Sequence, residues 1–184
     1  MSFELDKKNI LAKIDKSKIG KIDSGIKEIC RLINSKKDYY TTSSCSGRIV
    51  LLESNSSKKN ESKWLFVSHE LTEFEQIRKI QSNSDVWFRQ EGAILHVCCT
   101  DLKSAEKLIN LVKLIGFKRA GMISVNNRYV VEIISSEHLC TIVIKNGKKI
   151  VSDEYLKVLL EEANKKMEQN QDKLNNLSSR LRLR

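Results

Sequence analysis

No C-x-x-C pair occurs in this chain, and its five cysteines, Cys30, Cys45, Cys98, Cys99 and Cys140, are odd in number. Neither a disulfide framework nor a zinc site is signalled, no metal is expected, and a reducing, cytoplasmic setting fits best. Nothing approaches the roughly 18 consecutive apolar residues that a membrane span requires. The opening MSFELDKKNI is charged from its fourth residue, so neither an anchor nor an export signal is expected. No G-x-G-x-x-G follows a strand-like run and no P-loop occurs, which removes support for a doubly wound nucleotide-binding fold. A long internal repeat is also missing.

What is present is positive charge. The chain has 184 residues and a net charge of +10. Residues 1–37 hold ten Lys and Arg against five Asp and Glu, and residues 165–184 hold six against two. A surplus gathered at both ends suits a polyanion such as RNA, although solvated lysine-rich helix faces would look similar. The length suits one domain, residues 1–184.

Phe3, Ile10, Leu11 and Ile14, then Ile22, Ile26, Ile29 and Ile33, recur at helical spacing, which predicts two N-terminal helices with basic outer faces. Strand formers follow at Tyr39 to Thr42 and Arg48 to Glu53. The Ser46-Gly47 dipeptide between them predicts a hairpin whose tip carries the string SSCSGR. Residues 54–63 are polar and low in complexity, and read as a loop. Further strands are expected at Trp64 to Val67, and around a turn at Gly92, with a short helix over Leu71 to Ile80 between them. Asp101 should cap a helix that Gly116 stops, and Asn126-Asn127 and Asn146-Gly147 should turn hairpins.

From Asp153 onwards Leu156, Leu160, Ala163, Met167, Asn170, Leu174, Leu177 and Leu181 form one stripe, predicting a long helix over 153–184. Docking of its first half and projection of its basic end is the expectation, with a coiled-coil pair as the lesser one. The order of elements predicts an α+β fold, a largely antiparallel sheet, barrel-like in one arrangement, flanked by helices. A monomer or weak homodimer follows.

The blocks YYTTSSCSGRI, KWLFVSHE, ILHV, GFKRAGMIS and EYLKVLLEEANKKMEQN, with KSKIGKID before them, occur in this order. This pattern resembles the tRNA wybutosine-synthesizing protein 3 family over nearly the whole chain. The resemblance implies a methyltransferase that uses S-adenosylmethionine to methylate N4 of a demethylwyosine-type tricyclic guanosine beside the anticodon of tRNA-Phe. One departure stands out: a proline is expected shortly before ILHV, whereas this chain has Glu91-Gly92-Ala93 and no proline anywhere.

Methyl transfer to a ring nitrogen asks mainly for positioning and electrostatics. His69, Arg48, Ser46 and Cys45 are the catalytic candidates. His69 can take the acceptor's proton or orient the base, and Arg48 can grip a carboxylate or phosphate bidentately. Ser43, Ser44, Gly47, Trp64, Ser68 and His96 are candidates for the donor, with Trp64 able to stack on a base or face a sulfonium. His96 alternates with Leu95 and Val97 and so occupies the other face of its strand. Lys16, Lys18, Lys21, Lys58, Lys59, Lys63, Arg180, Arg182 and Arg184 are candidates for RNA phosphates. Two rival readings remain at this point: a non-catalytic tRNA-binding accessory protein, and a hydrolase with Cys45 as nucleophile.

Overall fold

The computed structural model describes residues 2–12, 22–54 and 62–183. In chain order the elements are α1 (Phe3–Leu11), α2 (Ser24–Asn34), β1 (Tyr39–Cys45), β2 (Arg48–Ser54), β3 (Lys63–Ser68), α3 (Phe74–Ile77), β4 (Asp85–Glu91), β5 (Ile94–Cys99), α4 (Leu102–Ile115), β6 (Arg119–Ser124), β7 (Tyr129–Ile134), β8 (His138–Lys145), β9 (Lys148–Lys149) and α5 (Asp153–Arg182). Every strand pairing among the described residues is antiparallel, so the α+β expectation holds. The chain divides into two compact units. Unit 1 comprises residues 1–46, 93–136 and 171–184, and unit 2 residues 47–92 and 137–170.

Unit 1 is built on a sheet of order β1-β5-β7-β6. Its core packs Val97, Leu95, Val131 and Ile133 of the sheet against Ile26 and Ile33 of α2, Leu108 and Val112 of α4, and Leu174, Leu177 and Leu181 of α5. Local signals act as expected. Asp101 accepts from the Ser104 N–H at 2.7 Å, and Gly116 ends α4 in the left-handed region at φ 108°. Helix α1 is tied to the sheet by polar bonds. The buried Tyr40 hydroxyl donates to Asp6 Oδ2 at 2.5 Å, and Arg128 Nη2 donates to Asp6 Oδ1 at 2.7 Å.

Unit 2 carries the sheet β3-β2-β4-β8-β9 and packs Ile49, Leu51, Phe88 and Val143 against Ile77 of α3 and the first part of α5. Asn146 and Gly147, at φ 49° and 75°, turn β8 into β9, as their residue types require for a two-residue hairpin. Ser152 caps α5, accepting from the Tyr155 N–H at 3.2 Å.

Three expectations change. Ser46-Gly47 is not a hairpin tip: β1 pairs with β5, β2 pairs with β3 and β4, and the chain leaves unit 1 for unit 2 at this point. Gly92-Ala93 is likewise a passage between units, since β4 and β5 belong to different sheets. Turn dipeptides fix only a local bend, and here the partner strands are supplied from elsewhere in the chain. The end of α5 does not project. Leu174, Leu177 and Leu181 are 4% exposed or less, and Arg182 Nη2 donates to Glu28 Oε1 at 3.2 Å. The apolar stripe is consumed within the chain.

Candidate functional site

The string SSCSGR is parcelled out by strand alternation. Ser43 is exposed, and its register partner is His96. Ser44 pairs with the buried Leu95 and lies beside the Cys30 thiol of α2, so it faces the helices of unit 1. Cys45 ends β1 opposite Ile94. Ser46 is 4% exposed, and its N–H donates to Asp23 Oδ2 at 2.9 Å, a bond that holds the start of α2 against the end of β1. Gly47 opens unit 2 with φ 98°, a conformation that a side chain would strain. Within unit 1, Ser44 and Ser46 are committed to helix α2 and its cap.

Unit 2 groups Arg48, Trp64 and Glu91. Arg48 on β2 is the register partner of Glu91 on β4, and its Nε donates to Glu91 Oε2 at 2.7 Å. The guanidinium carbon also lies 4.5 Å from the centroid of Trp64 on β3. Both residues keep surface, with the Arg48 side chain 27% exposed and Trp64 44% exposed. The plane of the guanidinium is held by a carboxylate at one edge and an indole on one face. Its two Nη atoms have no acceptor among the described residues, which leaves a planar two-donor edge for an oxyanion.

The histidines separate by what backs them. His69 follows β3, and its Nδ1 donates to the Gly47 carbonyl at 2.9 Å. His96 on β5 donates from Nε2 to Glu132 Oε1 on β7 at 2.9 Å. Each assignment follows from the partner, since a carbonyl or an ionised carboxylate only accepts. His138 is exposed. Ser68 forms a local turn: its Oγ accepts from the Glu70 N–H at 3.1 Å and donates to the Glu70 carbonyl at 2.9 Å.

Of the basic candidates, Lys63 and Arg180 are exposed, and Arg182 is engaged with Glu28. Lys16, Lys18, Lys21, Lys58, Lys59 and Arg184 lie outside the described residues. Glu91, Glu132 and Asp23 were missed from the sequence. Their roles follow from cross-strand register and from contacts over twenty or more residues, for which no local signal exists.

The Methyltransferase TYW3 family model matches residues 5–183. This chain belongs to that family. Members similar to it include a Xenopus laevis "tRNA wybutosine-synthesizing protein 3 homolog", 35% identical over 97% of this chain and 74% of its own length. A Pyrococcus horikoshii protein named "tRNA(Phe) 7-((3-amino-3-carboxypropyl)-4-demethylwyosine(37)-N(4))-methyltransferase 1" is 36% identical, covering 98% of this chain and 95% of its own. A solved structure of a Pyrococcus horikoshii protein superposes with a TM-score of 0.89 at 36% identity, covering 98% of this chain and 96% of that one. An Aeropyrum pernix structure gives a TM-score of 0.76 at 27% identity over 86% of this chain and 96% of its own.

Membership in the family frames the departure before ILHV. Where a proline is expected, Gly92-Ala93 joins β4 to β5, and the Ala93 carbonyl accepts from the Ser135 N–H at 2.9 Å. Among the described residues no helix is long and apolar enough to cross a membrane.

Proposed function

We propose that this chain transfers a methyl group from S-adenosylmethionine to N4 of a 4-demethylwyosine-type tricyclic guanosine, next to the anticodon of tRNA-Phe. The observation that carries the reading is the family match over residues 5–183, joined by relatives named for this reaction at 33–36% identity. The donor supplies a sulfonium methyl, an electrophile that needs no covalent enzyme intermediate.

The chain's own residues supply binding and charge. Arg48, locked by Glu91 and Trp64, offers its free Nη edge to a carboxylate such as the donor's amino-acid end. A cationic face over an indole also marks Trp64 as a surface for a further cation or a flat base. Of the other catalytic and donor candidates, Ser43 is exposed, and Ser44, Cys45, Ser68, His69 and His96 are half-buried. Unit 1 is the unit suited to RNA phosphates: its residues include twenty Lys and Arg against ten Asp and Glu, while unit 2 has thirteen of each.

The test is mass spectrometry of tRNA-Phe carrying the unmethylated tricyclic base, after incubation with protein and isotopically labelled donor. A labelled methyl on N4 is the expected product, and unchanged tRNA at saturating donor overturns the reading. Arg48→Ala should lower single-turnover transfer at least about tenfold, with calorimetry reporting weakened donor binding, as for loss of a bidentate charged contact.

A further inference from the structure

Across the sheet of unit 1 one row of register partners carries three polar side chains and ends at a glycine. Ser43 on β1 pairs with His96 on β5, His96 with Glu132 on β7, and Glu132 with Gly121 on β6. Strand alternation puts this row on the side away from Leu95, Val97, Val131 and Ile133, which fill the core. Ser43 is exposed, and the side chains of His96 and Glu132 are 26% and 28% exposed. A Cβ built at Gly121 meets nothing within 4 Å, so the end of the row opens onto free space.

The row is part-exposed, and its imidazole is paired on one nitrogen. With Nε2–H donating to Glu132 Oε1 at 2.9 Å, the neutral imidazole of His96 carries its lone pair on Nδ1, and Nδ1 has no hydrogen-bond partner among the described residues. A basic nitrogen, a carboxylate that stabilises the cation formed when that nitrogen takes a proton, a hydroxyl, and a residue without a side chain are what a planar heterocycle with an acidic ring N–H requires. His69 differs in that its Nδ1 is bonded to the Gly47 carbonyl.

We infer that the row Ser43, His96, Glu132 and Gly121 seats the acceptor base, with His96 as its proton acceptor and Glu132 as the positioning residue behind it. This rests on the methyltransferase reading above. In the step, the N4–H proton moves to His96 Nδ1, the N4 electron pair forms the bond to the methyl carbon, and the carbon–sulfur bond breaks with its pair retained by sulfur. The sulfonium becomes a neutral thioether, and the new imidazolium is held by the Glu132 carboxylate until it loses its proton to water. Among the described residues, the other titratable or charged groups on this face include Cys45 beyond Ser43, Cys98 two residues along β5 with its register partner Tyr40, Arg119 two residues from Gly121, and the Asp6–Arg128 pair near Cys98. Among the described residues, Glu132 alone is bonded to the imidazole.

Three variants test the inference in single-turnover methylation across pH. His96→Asn should lower the rate by about a hundredfold, within the range of general-base contributions, with donor binding by calorimetry unchanged. Glu132→Gln removes the carboxylate behind the imidazole, so kcat should fall at unchanged acceptor KM and donor affinity, a split that a purely structural role would not produce. Gly121→Val fills only open space and sits at a φ outside the left-handed region, so melting should be unchanged while acceptor KM rises. Rates for His96→Asn within about twofold of wild type across pH, in a preparation that methylates, overturn the inference and leave the methyltransferase reading standing. If the wild type transfers no methyl, that reading falls, and the imidazole NMR signals of His96 decide the inference instead. Their shift on adding the free tricyclic nucleoside supports the seat; their constancy removes it.

Discussion

A single thiol in this protein illustrates how strongly burial can oppose ionisation. Burial pushes the Cys99 thiol up to about 12, with the neighbouring Cys98 and Asp101 adding to the effect. Cys30 and Cys98 are raised for the same leading reason, and hydrogen bonds from Ser44 and Thr41 to Cys30 only partly offset it. At pH 8 the reactive thiolate of Cys99 is about one part in ten thousand. Iodoacetamide at pH 8 should therefore label the exposed Cys140 first and spare Cys30, Cys98 and Cys99 until denaturant is added, as read by peptide mass spectrometry. Labelling of Cys99 at the rate of Cys140 in native protein would contradict the packing of β5. The same scale explains why a string of small polar residues does so many different things: adjacent residues on a strand face opposite ways, so Ser43 reaches solvent while Ser44 faces α2.

At the scale of elements, the sequence was legible wherever the determinant was local. Asp101 and Gly116 bound α4, Asn146-Gly147 turns β8 into β9, and the stripe from Leu156 to Leu181 is buried along its length. What was not legible was which strand pairs with which. Arg48 meets Glu91 43 positions away, and His96 meets Glu132 36 positions away, so the chemistry of both pairs depends on pairing between distant strands. The projection expected for the end of α5 failed for a related reason: the leucine stripe requires burial, but only the core of unit 1 reveals against what. Leu177, 1% exposed, lies within that core, and Leu177→Ala should cost about 2–5 kcal/mol of stability in urea denaturation. A loss below about 0.5 kcal/mol, the size expected for an exposed site, would show that the last turns of α5 are not seated there.

At the scale of the whole molecule, charge is sorted by unit. The entire +10 resides in unit 1, and unit 2 is neutral. Along the sequence the surplus lies at the two termini; in the fold those termini share one unit with residues 93–136, which add six Lys and Arg against three Asp and Glu. Plots of the logarithm of tRNA affinity against the logarithm of salt concentration should reflect this. Arg180→Gln, at an exposed arginine with no ion-pair partner among the described residues, should reduce the slope by about 0.7–0.9 if it meets a phosphate. Lys148→Gln in unit 2 should leave the slope alone.

The discontinuity of the units also has a temporal side. Unit 2 is fully specified once residue 170 has been synthesised, whereas the core of unit 1, begun by α2, waits for Leu174, Leu177 and Leu181. Closure over such long sequence separations is intrinsically slow, so in refolding from urea the neutral unit should consolidate before the cationic one.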